Sequence, residues 1–202
     1  VKIEVIRGAS SLQYGPQFGG LLNYQIKKGN PNKAISYETQ QTVGSYGLFN
    51  TYHAIGGTHK KFSYYGFLHH RSADGWRNNS RYNIQTVYFS ANYQLSKKIN
   101  LSGEYTNMNY KSQQPGGLTD VQFKDNHRQS LRERNWFGAP FNVASLTVKY
   151  DISQSVNLQI KSFATIAERN SVGFTKSITT TDSINQTTLQ YNARQVDRDH
   201  YK

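Results

Sequence analysis

The residues best suited to chemistry are arginines interleaved with large aromatic side chains in two segments, 76–82 and 128–137. Alternating guanidinium groups and aromatic rings bind single-stranded nucleic acid, because the cations meet phosphates while the rings stack on bases. The same mixture suits any bulky polyanion, and aromatic rings also gather at membrane interfaces. The residues concerned are Trp76, Arg77, Arg81, Tyr82, Arg128, Arg132, Arg134, Trp136 and Phe137.

Catalytic and metal-binding patterns are weak. His69 and His70 are adjacent, and neighbours on a strand point to opposite faces, so both rings cannot bind one ion without distortion. No third ligand stands at a fixed spacing from them, and the chain has no cysteine. Ser, His and Asp occur without a nucleophile motif, which leaves a hydrolytic barrel enzyme as a remote alternative. We therefore expect no enzyme activity, no metal site and no cofactor.

The chain opens with a glycine-rich stretch between two apolar, strand-like runs, 3–6 and 21–26. Its glycines could cradle a phosphate, but no Gly-Lys-Ser/Thr and no helical pattern follow. The structural interpretation is that these glycines permit tight turns and close backbone approach within a packed unit. The stretch carries no short hairpin signature. The glycines are Gly8, Gly15, Gly19 and Gly20.

From residue 33 onward, apolar and polar residues alternate along the chain with a period of two. The segments with this pattern are the ones that must hold the arginines and aromatic residues in place. In 85–95, Val87, Phe89, Ala91 and Tyr93 share one face and polar residues share the other. Strict alternation of this kind predicts β-strands with one apolar and one wet face. Similar runs occupy 99–106, 144–152 and 156–162, less regular ones occupy 34–43, 48–57, 61–71 and 187–197, and helical signal is nearly absent.

The connections between these runs alternate in length. Short ones fall near 57–59, 96–98 and 153–155, and long ones at 72–83, 111–142 and 170–186, with 44–47 as the exception. Tight turns at one side and long loops at the other are typical of an outer-membrane barrel, with a soluble sandwich as the alternative. The opening unit needs a place to sit, and a wide barrel of about 22 strands holds a plug where eight strands cannot.

Composition agrees with an anionic partner. The chain has 24 Lys+Arg against 12 Asp+Glu, a formal net charge of +12, which attracts nucleic acid, anionic lipid or a polyanionic ligand. Only 36% of its residues are apolar, yet 13% are aromatic. The chain contains no run of about 18 apolar residues, so the sequence predicts no transmembrane helix. The chain starts at Val1 without a signal peptide, so we expect it to be an internal segment of a longer protein.

The first 29 residues resemble the C-terminal part of the plug domain of TonB-dependent outer-membrane receptors. In that family a strand ends in Arg-Gly, a Tyr-Gly follows, and a Gly-Gly precedes a strand that contains Asn. The resemblance implies two domains, 1–29 as the C-terminal part of a plug and 30–202 as the N-terminal portion of an outer-membrane β-barrel. The matching residues are Arg7-Gly8, Tyr14-Gly15, Gly19-Gly20 and Asn23.

Further segments, 44–47, 72–77, 115–118 and 134–137, are similar to the ferric-citrate receptor branch of that family. This implies an all-β fold, in which part of a plug precedes about the first eight antiparallel strands of a transmembrane barrel of about 22 strands. It also implies energy-coupled import of an iron chelate, foremost ferric citrate. The expected partners are the chelate, the inner-membrane protein TonB and lipid of the bacterial outer membrane.

Two alternatives stay open. The parent protein could import another anionic siderophore or cargo, or it could be an outer-membrane barrel that binds polyanions without transport. Nucleic acid is not expected as a partner, because the plug motif and the basic loops occur in the same chain.

The resemblance also implies site residues. The plug arginine, Arg7, would lock onto barrel glutamates, and Glu104 has the parity of an inward-facing partner. Strand parity places Arg169 in the lumen, at the end of a strand that leads into the 170–186 loop. The stretch from Phe163 to Arg169 resembles the family segment that carries a citrate-binding arginine, and Lys176 lies near the place of a second basic ligand. Arginine suits this task because its planar fork matches a carboxylate.

Overall fold

The computed structural model describes residues 2–8, 19–191 and 195–201. These residues form strands almost throughout, with one short helix, and none of their helices is long and apolar enough to cross a membrane. The strands are β1 (Lys2–Ile6), β2 (Leu21–Gln25), β3 (Ser36–Gly44), β4 (Leu48–His59), β5 (Phe62–Ala73), β6 (Tyr82–Gln94), β7 (Ile99–Gln113), β8 (Trp136–Gly138), β9 (Phe141–Asp151), β10 (Asn157–Gly173) and β11 (Gln195–Tyr201), and the helix is α1 (Asp120–Asp125).

The opening unit is a two-stranded antiparallel sheet of β1 and β2, in which Ile6 lies opposite Leu21. The two strands pair although no short turn joins them, because their alternating apolar residues match in register. The Glu4 carboxylate accepts hydrogen bonds from Lys2 at 2.9 Å and Asn23 at 3.0 Å, and these bonds lower the pKa of Glu4. Tyr14 and Gly15, which carry part of the plug resemblance, lie outside the described residues.

The remaining strands form one large antiparallel sheet, and each strand position pairs with the next along the chain. β8 and β9 occupy a single position, because both pair with β7 on one side and β10 on the other in one continuous register. Residues 139–140 interrupt this strand, and Pro140 has no N–H to donate to the ladder. The nine strands thus fill eight positions, and the expected all-β class with about eight antiparallel strands is confirmed.

Two local expectations were wrong. The described part of the segment 187–191, where a strand was expected at 187–197, is not a strand, because Ile184 and Tyr191 form an isolated bridge that closes a small turn. Strand β11 comprises Gln195–Tyr201. The side chain of Asn185 accepts hydrogen bonds from the backbone of Thr187 and Thr188, both at 2.9 Å, which favours that turn over an extended strand. The connection expected at 111–142 is shorter, because β7 continues to Gln113 and β8 begins at Trp136. It also contains α1, whose first turn is closed by a capping box between Thr119 and Gln122.

The large sheet has two faces of different character. On the covered face, Ala54, Tyr65 and Tyr88 form a buried cluster against which Ile26 packs. On the outer face, large apolar side chains are exposed, so the alternation of the sequence separates the two faces as predicted. The exposed outer-face residues include Tyr37, Ile55, Phe62, Leu68, Val87, Phe89, Tyr93, Tyr105, Leu146, Tyr150, Leu158, Ile160 and Ile166.

The two ends of the sheet also differ. The connections at the turn end are short, at 60–61, 95–98 and 152–156. The connections at the loop end include the long segments 74–81 and 114–135 and the segment that follows β10. The loop end therefore holds most of the residues that the sequence marked as able to bind a ligand.

Candidate functional site at the loop end of the sheet

The segment that joins the two sheets, 26–34, lies against the covered face. The ammonium group of Lys27 donates to both carboxylate oxygens of Glu38, at 2.8 and 3.0 Å, and these hydrogen bonds raise the pKa of Lys27. The Thr58 amide donates to the Lys33 carbonyl at 2.8 Å. These contacts fix the path of the segment before it enters β3.

Close backbone approach explains the glycine at position 29. A Cβ atom at Gly29 would collide with the carbonyl oxygens of Gly57 and Tyr64 and would meet the Ser63 hydroxyl at 2.8 Å. Only a residue without a side chain allows the joining segment to lie this close to β4 and β5. This contact ties the joining segment to the turn end of the sheet.

A cavity of about 520 Å³ lies between the joining segment and the covered face. Glu104 and Lys149 contribute charged groups to its wall, and Ile26 and Lys28 border it from the joining segment. Glu104 therefore faces the side of the sheet on which the joining segment lies, as its strand parity predicts. Arg7 is exposed just after β1, and its pairing with Glu104 stays a prediction.

Near the loop end, two arginines stand in one row across the covered face. Arg71 of β5 lies opposite Ile84, Ile84 lies opposite Tyr110, and the same registers carry the row through position 139 to Arg169 of β10. Four strand spacings of about 4.8 Å separate their Cα atoms by about 19 Å along the sheet. The row thus offers a broad surface of guanidinium and aromatic groups.

Arg169 occupies the place that strand parity predicts, on the covered face at the loop end. Its Nη1 atom lies 3.4 Å from Asp199 Oδ2 of β11, and about half of each side chain is exposed. Its guanidinium also lies over the Phe137 ring, 5.7 Å from the ring centre. The ion pair and the aromatic ring therefore restrict the orientation of the Arg169 side chain, which remains accessible to a ligand.

Lys176 lies in the loop that follows β10, and its side chain is exposed. The backbone of Lys176 is held in place, because its carbonyl accepts a hydrogen bond from Arg132 at 3.1 Å. Its role as a second basic ligand stays a prediction. Arg71 is the basic residue that sequence reasoning missed, although its odd position on β5 matches that of His69 and would have placed it on the covered face.

Arg71 borders a second cavity at the loop end, of about 300 Å³. The aromatic rings of Tyr82 and Tyr110 and the Ser112 hydroxyl group line the same cavity. A guanidinium group beside phenol rings can bind a carboxylate and pack against an apolar ligand surface. The candidate site therefore combines Arg169 and Arg71 with the aromatic residues between them.

The arginines of the loops were expected to form a surface that binds a polyanion. In the structure their guanidinium groups mainly contact other parts of the protein. Arg132 is only 5% exposed, and it donates to the carbonyls of Thr180, Ser177 and Lys176 at 2.7, 2.9 and 3.1 Å. Arg77 donates to the carbonyls of Gly116 and Gln129, both at 2.8 Å. These guanidinium groups join neighbouring loops.

Two more arginines strengthen the same loop assembly. Arg134 pairs with the fully buried Asp182 at 2.9 Å and lies over the Tyr191 ring. Arg128 donates to the Trp76 carbonyl at 2.8 Å and lies over the Tyr46 ring. Since these donors are engaged by protein groups, the basic loops are built as a structural cap above the sheet.

His69 and His70 lie on opposite faces of β5. His69 is hydrogen-bonded to Asn50 at 2.7 Å on the covered face, whereas His70 packs against Phe49 on the outer face. Within the described ranges 2–8, 19–191 and 195–201, no group of three His, Asp or Glu side chains is arranged to hold a metal ion. The pair therefore belongs to the packing of the sheet.

Comparison with known proteins adds a likeness to a solved structure. No family model and no curated protein matches the chain. Among solved structures, the crystal structure of the ferric citrate transporter FecA in the unliganded form matches 84% of this chain, with a TM-score of 0.68 and 21% identity. This chain covers 27% of that chain. The likeness shows the fold, an antiparallel sheet that resembles a segment of a β-barrel.

Proposed function

We propose that the chain is a segment of a TonB-dependent outer-membrane receptor that imports an iron chelate. In this proposal the opening unit, 1–29, is the C-terminal part of a plug, and 30–202 is the N-terminal portion of the barrel. The outer face contacts lipid, the covered face lines the lumen, and the loop end opens to the outside of the cell. Transport is driven by TonB from the inner membrane, and the protein is not an enzyme.

The observation that carries the proposal is the row of Arg71, Tyr110 and Arg169 on the covered face, at the end with the long loops. A lumen mouth that carries guanidinium groups between aromatic rings attracts an anionic cargo before it reaches the plug. The exposed apolar side chains of the outer face support a membrane location, because outer-membrane barrels carry an apolar band about 25 Å tall on that face.

Ferric citrate is the leading cargo. Its free carboxylates need charged donors, and arginine offers two parallel N–H groups that match a carboxylate. Arg169 is the proposed first contact, and Lys176 is the proposed second basic ligand from the adjoining loop. The likeness to a ferric citrate transporter supports the same cargo.

Arg7 and Glu104 are proposed as a lock between plug and barrel. Glu104 faces the cavity beside the joining segment, where an arginine of the plug can approach it. An ion pair that is shielded from water would hold the plug in place, and it would have to break before the plug moves.

The proposed partners of the receptor are the chelate, TonB and outer-membrane lipid. Nucleic acid is not among them.

The cargo is tested by equilibrium binding to the full-length protein in detergent. Ferric citrate should bind, and iron-free citrate and an uncharged iron siderophore should bind far more weakly. Binding of a different anionic siderophore in place of ferric citrate would favour the second candidate cargo. A protein that binds polyanions in general, with no preference for the iron chelate, would instead be a non-transporting barrel.

A further inference from the structure

A dense group of lysines lies at the turn end of the sheet. The connections at this end contain four lysines and no acidic residue. The joining segment brings a fifth lysine close to the end of β4, because the Thr58 amide donates to the Lys33 carbonyl at 2.8 Å. We call these five residues the basic rim: Lys33, Lys60, Lys61, Lys97 and Lys98.

The positive charges of the basic rim are not neutralised within the described part of the chain. All five side chains are exposed, and none of them forms an ion pair with another described residue. Asp151, the last residue of β9, is exposed at the same end and offsets one of the charges. Glu104 and Lys149 both face the cavity beside the joining segment and offset each other. The rim therefore keeps most of its positive charge.

The arginines of the loop end are used differently. Arg77 and Arg132 donate to backbone carbonyls of neighbouring loops, and Arg134 pairs with the buried Asp182. These guanidinium groups stabilise the loop cap, whereas the ammonium groups of the rim point to no acidic partner within the described residues. An anionic macromolecule that recognises the basic composition of this chain would therefore find its cations clustered at the turn end.

Main-chain hydrogen bonds fix the backbone of the rim. The Gln94 amide donates to the Lys61 carbonyl at 2.9 Å, and the Asp151 amide donates to the Lys98 carbonyl, also at 2.9 Å. The Ser96 hydroxyl oxygen accepts from the Lys98 amide at 3.2 Å within the second turn. Two strand spacings of about 4.8 Å separate the two turns by about 10 Å. Because the turns are ordered before a partner arrives, binding costs less conformational entropy.

The distribution of the lysines favours a soluble partner over membrane lipid. Lys33 belongs to the joining segment, which lies against the covered face, and lipid contacts the outer face of a barrel. The third connection at the turn end, 152–156, carries no lysine and no arginine. Attraction to lipid headgroups would favour basic residues in every turn around the barrel. The basic rim instead lies where the joining segment enters the sheet.

We propose that the basic rim is a docking surface for an acidic segment of a soluble protein on the inner side of the outer membrane. Alternate carboxylates of an extended segment share one face and lie about 7 Å apart. Long lysine side chains on two turns about 10 Å apart reach neighbouring carboxylates of such a segment and form charge-assisted hydrogen bonds with them. The inference rests on the proposed membrane orientation and not on the identity of the cargo.

The test measures binding of a fluorescent oligoglutamate peptide to the full-length protein in a neutral detergent, by fluorescence anisotropy. The rim variant Lys61→Gln, Lys97→Gln removes one charge from each turn. It should bind the peptide about fivefold more weakly, because two exposed charge contacts are lost. The charge-preserving variant Lys61→Arg, Lys97→Arg should bind like the unaltered protein.

The matched control variant is Lys111→Gln, Lys124→Gln. It removes the same net charge from exposed lysines near the loop end, and it should leave binding of the peptide unchanged. Equal weakening in the rim variant and the control variant would show a general effect of net charge and would overturn the proposal. Unchanged binding in the rim variant would overturn it as well.

Lipid as the occupant of the rim is tested separately. Phosphatidylglycerol that stays bound to the purified protein is counted by native mass spectrometry. The rim variant and the unaltered protein should retain equal amounts, because the proposed partner is a polypeptide. A loss of retained lipid in the rim variant would assign the lysines to lipid and would contradict the proposal.

The outcome is separable from the proposed cargo. The rim variant should bind ferric citrate like the unaltered protein, which also reports correct folding. If ferric citrate binds neither protein while binding of the peptide differs between them, the cargo is wrong and the docking surface stands.

Discussion

Arg169 and Asp199 face each other across the β10–β11 pair, with 3.4 Å between Nη1 and Oδ2. Both side chains are about half exposed, so water screens their attraction and the pair adds little to stability. The geometry nevertheless holds the guanidinium extended from the covered face. In the proposed receptor, a cargo carboxylate would take the place of Asp199 at little cost.

Replacing Arg169 tests its role as a cargo ligand. Arg169→Ala should weaken binding of ferric citrate by about 1.5–3 kcal/mol, because a charged hydrogen bond is lost. Asp199→Asn is the matched control, since it removes the competing carboxylate, and it should leave affinity unchanged or slightly higher. The measurement is equilibrium binding by the full-length receptor, and an unchanged dissociation constant for Arg169→Ala removes Arg169 from the site.

Replacing Arg132 tests the loop cap. Arg132→Ala should destabilise the loop assembly by about 3 kcal/mol, because three loop carbonyls lose one buried cationic donor together. Hydrogen exchange should rise in 174–182 while the strands below stay protected. Arg81→Ala is the control, because its ion pair with Asp74 is mostly exposed and contributes about 0–1 kcal/mol. Equal exchange in both variants would show that Arg132 does not hold the loops.

Replacing Gly29 tests the close approach of the joining segment. Gly29→Ala should destabilise the contact between that segment and the turn end by about 1–3 kcal/mol, since the added methyl group meets fixed backbone carbonyls. Proteolysis within 26–34 should accelerate. Gly173→Ala is the control, because a Cβ atom there has no neighbour within 4 Å. A proteolysis rate that is the same for both variants would contradict the described packing.

Charge on the outer face tests the membrane orientation. Leu146→Arg should impair insertion into lipid by about 2–4 kcal/mol, the cost of arginine near the bilayer midplane of a barrel. Ser145→Arg is the matched control, because Ser145 lies on the covered face opposite Glu104. Folding yields in liposomes compare the two. A loss with Ser145→Arg and none with Leu146→Arg would reverse the assigned faces.

The sequence predicted the sheet well because alternation is a local signal. Each strand from β3 to β10 except β8 was expected close to its place, and β8 lies within the connection that was expected at 111–142. The face of Arg169 followed from strand parity alone. The strand expected at 187–197 was misplaced because the turn around Asn185 depends on side-chain bonds that alternation does not encode. The helix α1 was missed because six residues carry too little periodicity.

The site could be predicted only in part, because a ligand surface depends on strand register. Arg71 and Arg169 are 98 residues apart in the chain (169 − 71) and share a row only through four pairings. The loop arginines were expected to meet an anionic ligand, whereas in the structure Arg132 and Arg77 donate to backbone carbonyls of neighbouring loops and Arg134 pairs with Asp182. Those partners become visible only once the loops are folded against each other.

Uptake of radiolabelled ferric citrate by a strain lacking the full-length protein tests the central claim most directly. Uptake should fall in the deletion strain, return with the unaltered gene, and fail again when the inner membrane is de-energised. Uptake that is the same with and without the protein would contradict it.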